Sequence, residues 1–263
     1  MDQKNTGFFL TKFLASLFLM TLVSGCSSAG STKHSTSAVE FLYPDTEVPV
    51  AKPDIPELNL PLRVGIAFVP GEGGGTFGGM NLVSGGMGSQ FVFSEDKKTT
   101  LMQKVVEHFK SYPFVKDLQI IPSADLISRG SFANLDRIRT VYGVDVIALL
   151  SYDQAQFTDQ GVASITYWTL VGAYVIPGEK NDTHTLLDAV VYDIKSRKML
   201  FRAPGTSHTK SNATPVNIAE QLRADSAQGL DSAAKEMIVN LDQQLAHFRE
   251  KVKENPAEFK GIK

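Results

Sequence analysis

The only cysteine of this chain, Cys26, directly follows an apolar run. A single cysteine cannot form a disulfide within the chain, so the fold must be stabilised in another way. Upstream of it come Lys4 and Lys12, a mostly apolar run over residues 13–23, and then small residues. A charged, an apolar and a small-residue region in this order are typical of an export signal. The apolar run is about a dozen residues long, whereas a bilayer-spanning helix needs about 20. We therefore expect residues 1–25 to be a signal peptide that is removed.

The residues before the expected cut, Leu22-Val23-Ser24-Gly25-Cys26, resemble the lipobox of bacterial lipoproteins. The resemblance implies a mature chain that begins at Cys26, with diacylglycerol on the thiol and a further acyl chain such as palmitate on the amino group. Several acyl chains hold a protein firmly on a membrane, because each buried methylene contributes about 0.8 kcal/mol. Ser27 follows the cysteine, whereas an aspartate there commonly retains lipoproteins at the inner membrane. We expect a periplasmic, lipid-anchored protein, with the outer membrane favoured over the inner.

The composition of the remaining 238 residues excludes some functions and some means of stabilisation. Removal of residues 1–25, which carry Asp2, Lys4 and Lys12, changes the formal net charge from −2 to −3. This is not the basic footprint of a nucleic-acid-binding protein. No thiol remains besides the lipidated one, so disulfides are excluded and an ordinary hydrophobic core must stabilise the fold.

Residues 26–61 are rich first in Ser, Thr and Gly and then in proline, a composition that favours a flexible tether. Fully extended, this segment would reach up to about 100 Å from the lipid. The alternative is that Phe41-Leu42-Tyr43 docks on the folded domain.

The folded domain is predicted over residues 62–250, followed by a polar tail over 251–263. Strands and helices alternate along it, which predicts a single α/β domain. The expected strands cover 62–69, 118–121, 144–150, 164–176, 185–194 and 198–203, and the expected helices cover 95–112, 134–142 and most of the chain after 215.

The last helix carries an apolar stripe with spacings of three and four residues. The stripe lasts little beyond two heptads, so it favours a helix that lies across a sheet over a coiled coil. The predicted architecture is therefore a mixed β-sheet flanked by helices, with a long C-terminal helix packed on the sheet. The stripe consists of Leu230, Ala234, Ile238, Leu241, Leu245 and Phe248.

The order of elements, with a helix closing on Tyr142-Gly143-Val144-Asp145 and a hairpin over 188–200, is similar to that of several envelope lipoproteins. They include the curli-secretion lipoprotein and the penicillin-binding-protein activator lipoproteins, whose domain is similar to the N-terminal domain of TolB. This similarity of pattern covers about residues 62–245 and implies a periplasmic α/β domain.

Five segments resemble the rhombotarget lipoprotein family of Gram-negative bacteria. That resemblance implies an association with rhombosortase, a rhomboid-type intramembrane protease, or with its substrates. The segments are Tyr142-Gly143-Val144-Asp145, Ser151-Tyr152-Asp153-Gln154, Tyr167-Trp168-Thr169, Gly172-Ala173-Tyr174 and Leu200-Phe201-Arg202-Ala203-Pro204-Gly205.

Motifs for cofactors and metals are weak in this sequence. Gly73-x-Gly75-x-x-Gly78 formally matches the dinucleotide fingerprint, but further glycines follow where a helix must open against the pyrophosphate. Nine of the eighteen residues over 71–88 are glycine, which favours a surface loop. The histidines are scattered without a metal-binding spacing, so neither a cofactor nor a metal is expected. They are His34, His108, His184, His208 and His247.

The candidate catalytic groups are aspartates in or beside predicted strands: Asp145, Asp153, Asp188 and Asp193. Two carboxylates brought together could support acid–base chemistry, but such residues more often cap turns or bond backbone amides. Arg202 is expected to pair with Asp188 or Asp193. No nucleophile motif occurs, so we predict that the protein is not an enzyme.

The function that these patterns favour is a non-catalytic binding or accessory module for another envelope protein, for which rhombosortase or its substrates are candidates. An oligomeric secretion or pore component and an envelope hydrolase are the alternatives, and the oligomeric state is left open. Apolar residues in the glycine-rich loop and aromatic residues on a predicted strand are the candidate partner contacts. They are Phe77, Met80, Leu82, Met87, Tyr167 and Tyr174.

Overall fold

The computed structural model describes residues 30–44, 55–56, 58, 60–70, 94–110, 112–160, 179–214 and 216–255. The strands are β1 (Gly30–Ser35), β2 (Leu62–Phe68), β3 (Val115–Ile120), β4 (Val146–Gln160), β5 (Glu179–Asp193) and β6 (Lys198–Ala213). The helices are α1 (Ala38–Leu42), α2 (Glu95–Phe109), α3 (Ser131–Tyr142) and α4 (Ile218–Glu254), with a short 3₁₀ turn at Ser123–Asp125.

The strands form one mixed sheet in the order β3-β2-β4-β5-β6. The strand β2 pairs in parallel with β3 and with the first part of β4, while β4, β5 and β6 form an antiparallel meander. The remaining strand, β1, pairs antiparallel with the second part of β4. The predicted α/β fold with a mixed sheet and a long C-terminal helix on it is confirmed.

Helices cover both faces of the sheet because its strands alternate between two sets of apolar side chains. On one face, α2 and α4 pack on a core that includes Ile66, Leu150 and Met237. On the other face, α1 and α3 pack on a second core that includes Ile147 and Leu149. The molecule therefore has three layers.

Local sequence signals explain how two of the helices begin and end. The helix α2 starts after Ser94 with Glu95 and Asp96 in its first turn, where negative charge favours the helix N-terminus. The helix α3 ends at Gly143, which has a φ of 66° and occupies the left-handed region as predicted.

The strands β4, β5 and β6 are long, so the sheet extends well beyond the part that α3 covers. At about 3.3 Å per residue, strands of 15 and 16 residues reach about 50 Å, and the 37 residues of α4 reach about 55 Å along them. We call the second half of this meander the β-arm: residues 151–160, 179–188 and 204–213. Along each strand of the β-arm, residues of an inner face alternate with residues of an outer face. The inner face packs under α4, and most residues of the outer face are exposed or half-buried.

The inner face of the β-arm is polar but buried. Gln154 donates to Thr185 Oγ1 at 2.7 Å, and Gln156 donates to the Leu222 carbonyl at 2.9 Å. The Ser226 hydroxyl completes this group by donating to Gln154. These buried polar groups have hydrogen-bond partners. The β-arm therefore packs on α4 through polar side chains without a large desolvation penalty.

Part of the flexible tether expected over 26–61 is folded onto the domain in the structure. Residues of β1 bond the edge of β4, the Thr36 amide donates to the Tyr152 carbonyl at 2.8 Å, and Phe41 and Leu42 are each only 2% exposed. The alternative in which this segment docks on the domain is the one observed. At the other end, α4 runs to Glu254, so residues 251–254 of the expected tail belong to the helix.

The predicted strand over 164–176 lies outside the described residues. Among those described, no helix combines the length and the apolar character that crossing a bilayer requires.

Candidate functional site

A wholly apolar pocket of about 90 Å³ lies between α2, α4 and the sheet. Val105 and Phe109 line it from α2, and Leu241 and Leu245 line it from α4. Each pair is spaced by four residues and so lies on one helix face. Ala148 lies on the sheet beneath them, and its small side chain leaves the space that a larger residue would fill.

Next to the pocket is an outer depression of about 450 Å³. The two share four apolar lining residues: Leu62, Phe114, Leu245 and Phe248. Two cations line the depression, Arg249 and Lys253. The Arg249 guanidinium carbon is 5.7 Å from the Phe114 ring centroid, and Lys253 pairs with Glu250 at 2.8 Å. We call the pocket and the depression together the α2–α4 groove.

Polar contacts beside the groove hold its two helices together. Asp242 of α4 accepts from the Tyr112 hydroxyl at 2.7 Å and lies 2.8 Å from His108 Nε2. The hydrogen bond to Asp242 raises the pKa of Tyr112. Lys104 of α2 bonds Asp231 of α4 at 2.8 Å, and this bond, followed by one from Lys235, lowers the pKa of Asp231. These contacts link α2 and the residues after it to α4 along one side of the groove.

Two of the candidate catalytic aspartates pair with arginines. Asp145 accepts two hydrogen bonds from Arg63, at 2.8 and 2.9 Å, and Asp188 accepts two from Arg202 at the same distances. Hydrogen bonding to these carboxylates, and then their charge, raises the pKa of both arginines. The predicted pairing of Arg202 with Asp188 is confirmed.

Asp193 caps the turn between β5 and β6 by accepting from the Ser196 amide at 3.0 Å. Asp153 pairs in register with Leu186, and Asp188 with Ser151, so the two acids occupy diagonal positions on one face of the sheet. Arg202 forms an ion pair with the carboxylate of Asp188, at 2.8 Å. The arrangement favours structural roles for these acids.

A cluster that the sequence analysis did not predict lies on the outer face of the β-arm. His184 and His208 are directly opposite each other on β5 and β6, and Asp182 is two residues before His184. One potential ligand atom from each of the three side chains lies within 4.8 Å of the others. The spacing Asp182-x-His184 places two of them on one face of β5, but both residues precede the strand that was predicted over 185–194.

The other predicted site residues lie outside the described residues. They are the lipidation site Cys26, the candidate partner contacts Phe77, Met80, Leu82, Met87, Tyr167 and Tyr174, and the glycine motif over 73–78.

No protein-family model, curated protein or solved structure matches this chain, so its resemblance to rhombotarget lipoproteins stays a prediction.

Proposed function

We propose that this protein is a lipid-anchored envelope lipoprotein that acts as a non-catalytic binding module for another envelope protein. The observation that carries the proposal is the α2–α4 groove, an apolar pocket next to a surface depression that two cations line. The apolar side chains that line the pocket supply binding energy but no acid, base or nucleophile. The geometry therefore favours recognition over chemistry.

The size of the pocket fits a protein side chain as its occupant. A cavity of about 150 Å³ holds a benzene molecule, so the pocket of about 90 Å³ has room for one aliphatic side chain. Arg249 and Lys253 at the outer depression are complementary to acidic residues beside that side chain. The proposed occupant is a segment of a partner protein that carries an apolar anchor flanked by negative charge.

The short link to the anchor supports this role. Three residues lie between Cys26 and Gly30 in the sequence, and these four residue steps bound the distance between the two Cα atoms at about 14 Å. Lipid on Cys26 would therefore hold the β-arm close to the membrane. Confinement of this kind raises the effective concentration of a membrane-associated partner. Rhombosortase and its substrates are the partners that the sequence resemblance suggests.

The test is crosslinking and capture from the native host, followed by quantitative mass spectrometry. Ala148→Leu fills the pocket, and the double change Arg249→Glu and Lys253→Glu reverses the charge of the rim. We expect each to reduce capture of a specific envelope protein at least tenfold, and Cys26→Ala to reduce it through loss of the anchor. Val239→Glu is the matched control, because Val239 lies on α4 with 54% exposure and does not line the groove.

Thermal unfolding of each variant establishes that it is folded before capture is compared. Recovery of the same proteins with the wild type and with both groove variants would contradict the proposal. So would the finding that the purified wild type carries a lipid, lost in Ala148→Leu, in place of a protein partner.

A further inference from the structure

We propose that Asp182, His184 and His208, on the outer face of the β-arm, bind one zinc ion. The three side chains come from two adjacent strands, and no part of the proposed binding groove is involved. The site is thus independent of the proposed function and has its own test.

Sheet geometry brings the three ligands together. Residues two apart on a strand point to the same face, which aligns Asp182 with His184. Leu200 is an extra residue on β6, because Val191 pairs with Phe201 while Tyr192 pairs with Met199. This bulge shifts the register by one residue and brings His208, rather than Ser207, opposite His184. Without the bulge the second imidazole would lie on the buried face.

The nitrogen atoms of both imidazoles converge on one carboxylate oxygen. His208 Nε2 is 2.5 Å and His184 Nε2 is 3.1 Å from Asp182 Oδ1. Zinc takes nitrogen ligands at about 2.0–2.1 Å and carboxylate oxygen at about 2.0–2.2 Å, so tetrahedral ligand atoms lie about 3.3 Å apart. Small rotations of exposed side chains reach this spacing without any movement of the backbone.

The neighbours of the cluster restrict its side chains. The His184 and His208 rings stack with centroids 4.1 Å apart, and the Phe157 ring meets the His184 ring edge to face at 6.3 Å. His184 is thus flanked by aromatic rings contributed from the strands on its two sides. Lys210 Nζ lies 4.0 Å from Asp182 Oδ2, which leaves the other carboxylate oxygen facing the imidazoles. Phe157 and Lys210 make outer contacts, which orient metal ligands, whereas the two stacked imidazoles must tilt apart to direct both nitrogens at one ion.

The backbone beneath the cluster is fixed. Thr183 and Thr185, which alternate with the ligands along β5, are buried under α4. Thr183 Oγ1 accepts from Gln156, and Thr185 Oγ1 accepts from Gln154. Because the inner face is locked, the Cα atoms of the ligands hold their spacing, and metal binding need not order the strands.

The ligand set selects the class of metal. Two imidazole nitrogens and one carboxylate oxygen suit zinc, with a fourth position left for water or for a side chain of a partner. Calcium and magnesium prefer ligand sets made of oxygen, so they should bind more weakly than zinc. Copper(II) also binds such sites tightly and is the competitor to compare.

The test is calorimetric titration of Zn²⁺ alone into the full chain in detergent, after chelation has removed bound metal. We expect one equivalent to bind. His208→Ala and Asp182→Asn should each weaken zinc affinity at least tenfold. His108→Ala is the matched control, because His108 also contacts an aspartate but lies on α2, away from the cluster. Its zinc affinity should equal that of the wild type.

A spectroscopic readout separates the site from adventitious binding. Cobalt(II) in place of zinc should give the visible absorption of a four-coordinate site in the wild type and in His108→Ala, but not in His208→Ala. Thermal unfolding without metal should be unchanged in all variants, since the three ligands lie at the surface of the sheet. The absence of zinc binding, or equal zinc affinity in wild type and His208→Ala, would overturn the proposal.

Discussion

Gly205→Ala is expected to lower the free energy of unfolding by about 3 kcal/mol, the upper part of the range for overpacked interiors. A Cβ atom built on Gly205 would lie 2.1 Å from the Ala233 carbonyl oxygen and 2.5 Å from the Met237 amide nitrogen. Both atoms belong to the backbone of α4, so no side-chain rotation relieves the contact. The helix must move off the sheet, and its wall of the α2–α4 groove moves with it. Urea denaturation measures the effect.

Gly229→Ala is the matched control for this prediction. Gly229 is on α4 at the same interface, but its added Cβ would meet the side-chain Oγ1 of Thr185, at 2.6 Å. Moving this hydroxyl weakens the hydrogen bond that it accepts from Gln154, at a cost of about 1 kcal/mol. Alanine favours the helix over glycine by about 1 kcal/mol, which offsets part of the loss. We expect a clearly smaller loss than for Gly205→Ala. Equal losses in the two variants would contradict the close approach of α4 to β6.

Phe41→Ala is expected to lower the free energy of unfolding by about 3–5 kcal/mol, as for other buried phenylalanines. Phe41 is 2% exposed and belongs to the core formed by α1, α3 and the sheet. In a flexible tether the same change would cost nothing. The prediction thus separates a docked segment from the tether that composition suggests.

Val39→Ala is the control, because Val39 is on the same short helix but is 63% exposed. Its effect should stay within about 0.5 kcal/mol, as at other surface positions. If Phe41→Ala and Val39→Ala behave alike, α1 is not docked. The distance between the lipid and the domain would then be set by the whole of residues 26–61.

Much of the fold follows from periodicity. The apolar stripe from Leu230 to Phe248 predicts α4, and strand-like runs predict β2, the second part of β5 and the first half of β4. The edge strand β1 could not be predicted, because its Ser- and Thr-rich sequence has no apolar alternation to indicate a strand. The far half of β4 escaped prediction for another reason. Its inward residues Gln154 and Gln156 are polar, and only contacts with α4 make them suitable for burial.

The candidate sites depend on tertiary structure more strongly. The α2–α4 groove exists because Ala148 lies under the space between two helices, and their packing is not encoded in any local pattern. The histidine cluster depends on the bulge at Leu200, without which His208 would face the interior. Arg202 was expected to pair with Asp188 or Asp193 across the β5–β6 hairpin, and the structure shows the pair with Asp188. Short-range pairs can be inferred from sequence, whereas register shifts and helix spacing cannot.

The most direct test of the proposed binding role is site-specific photocrosslinking in cells of the native host. A photoreactive residue at Leu60, which is 45% exposed and lines the outer depression, is compared with one at Val239, which lies on α4 away from it. The proposed function predicts a discrete protein adduct from position 60 only, and its loss when Ala148→Leu fills the pocket. The same adduct from both positions, or one from position 60 that survives Ala148→Leu, would contradict binding through the α2–α4 groove.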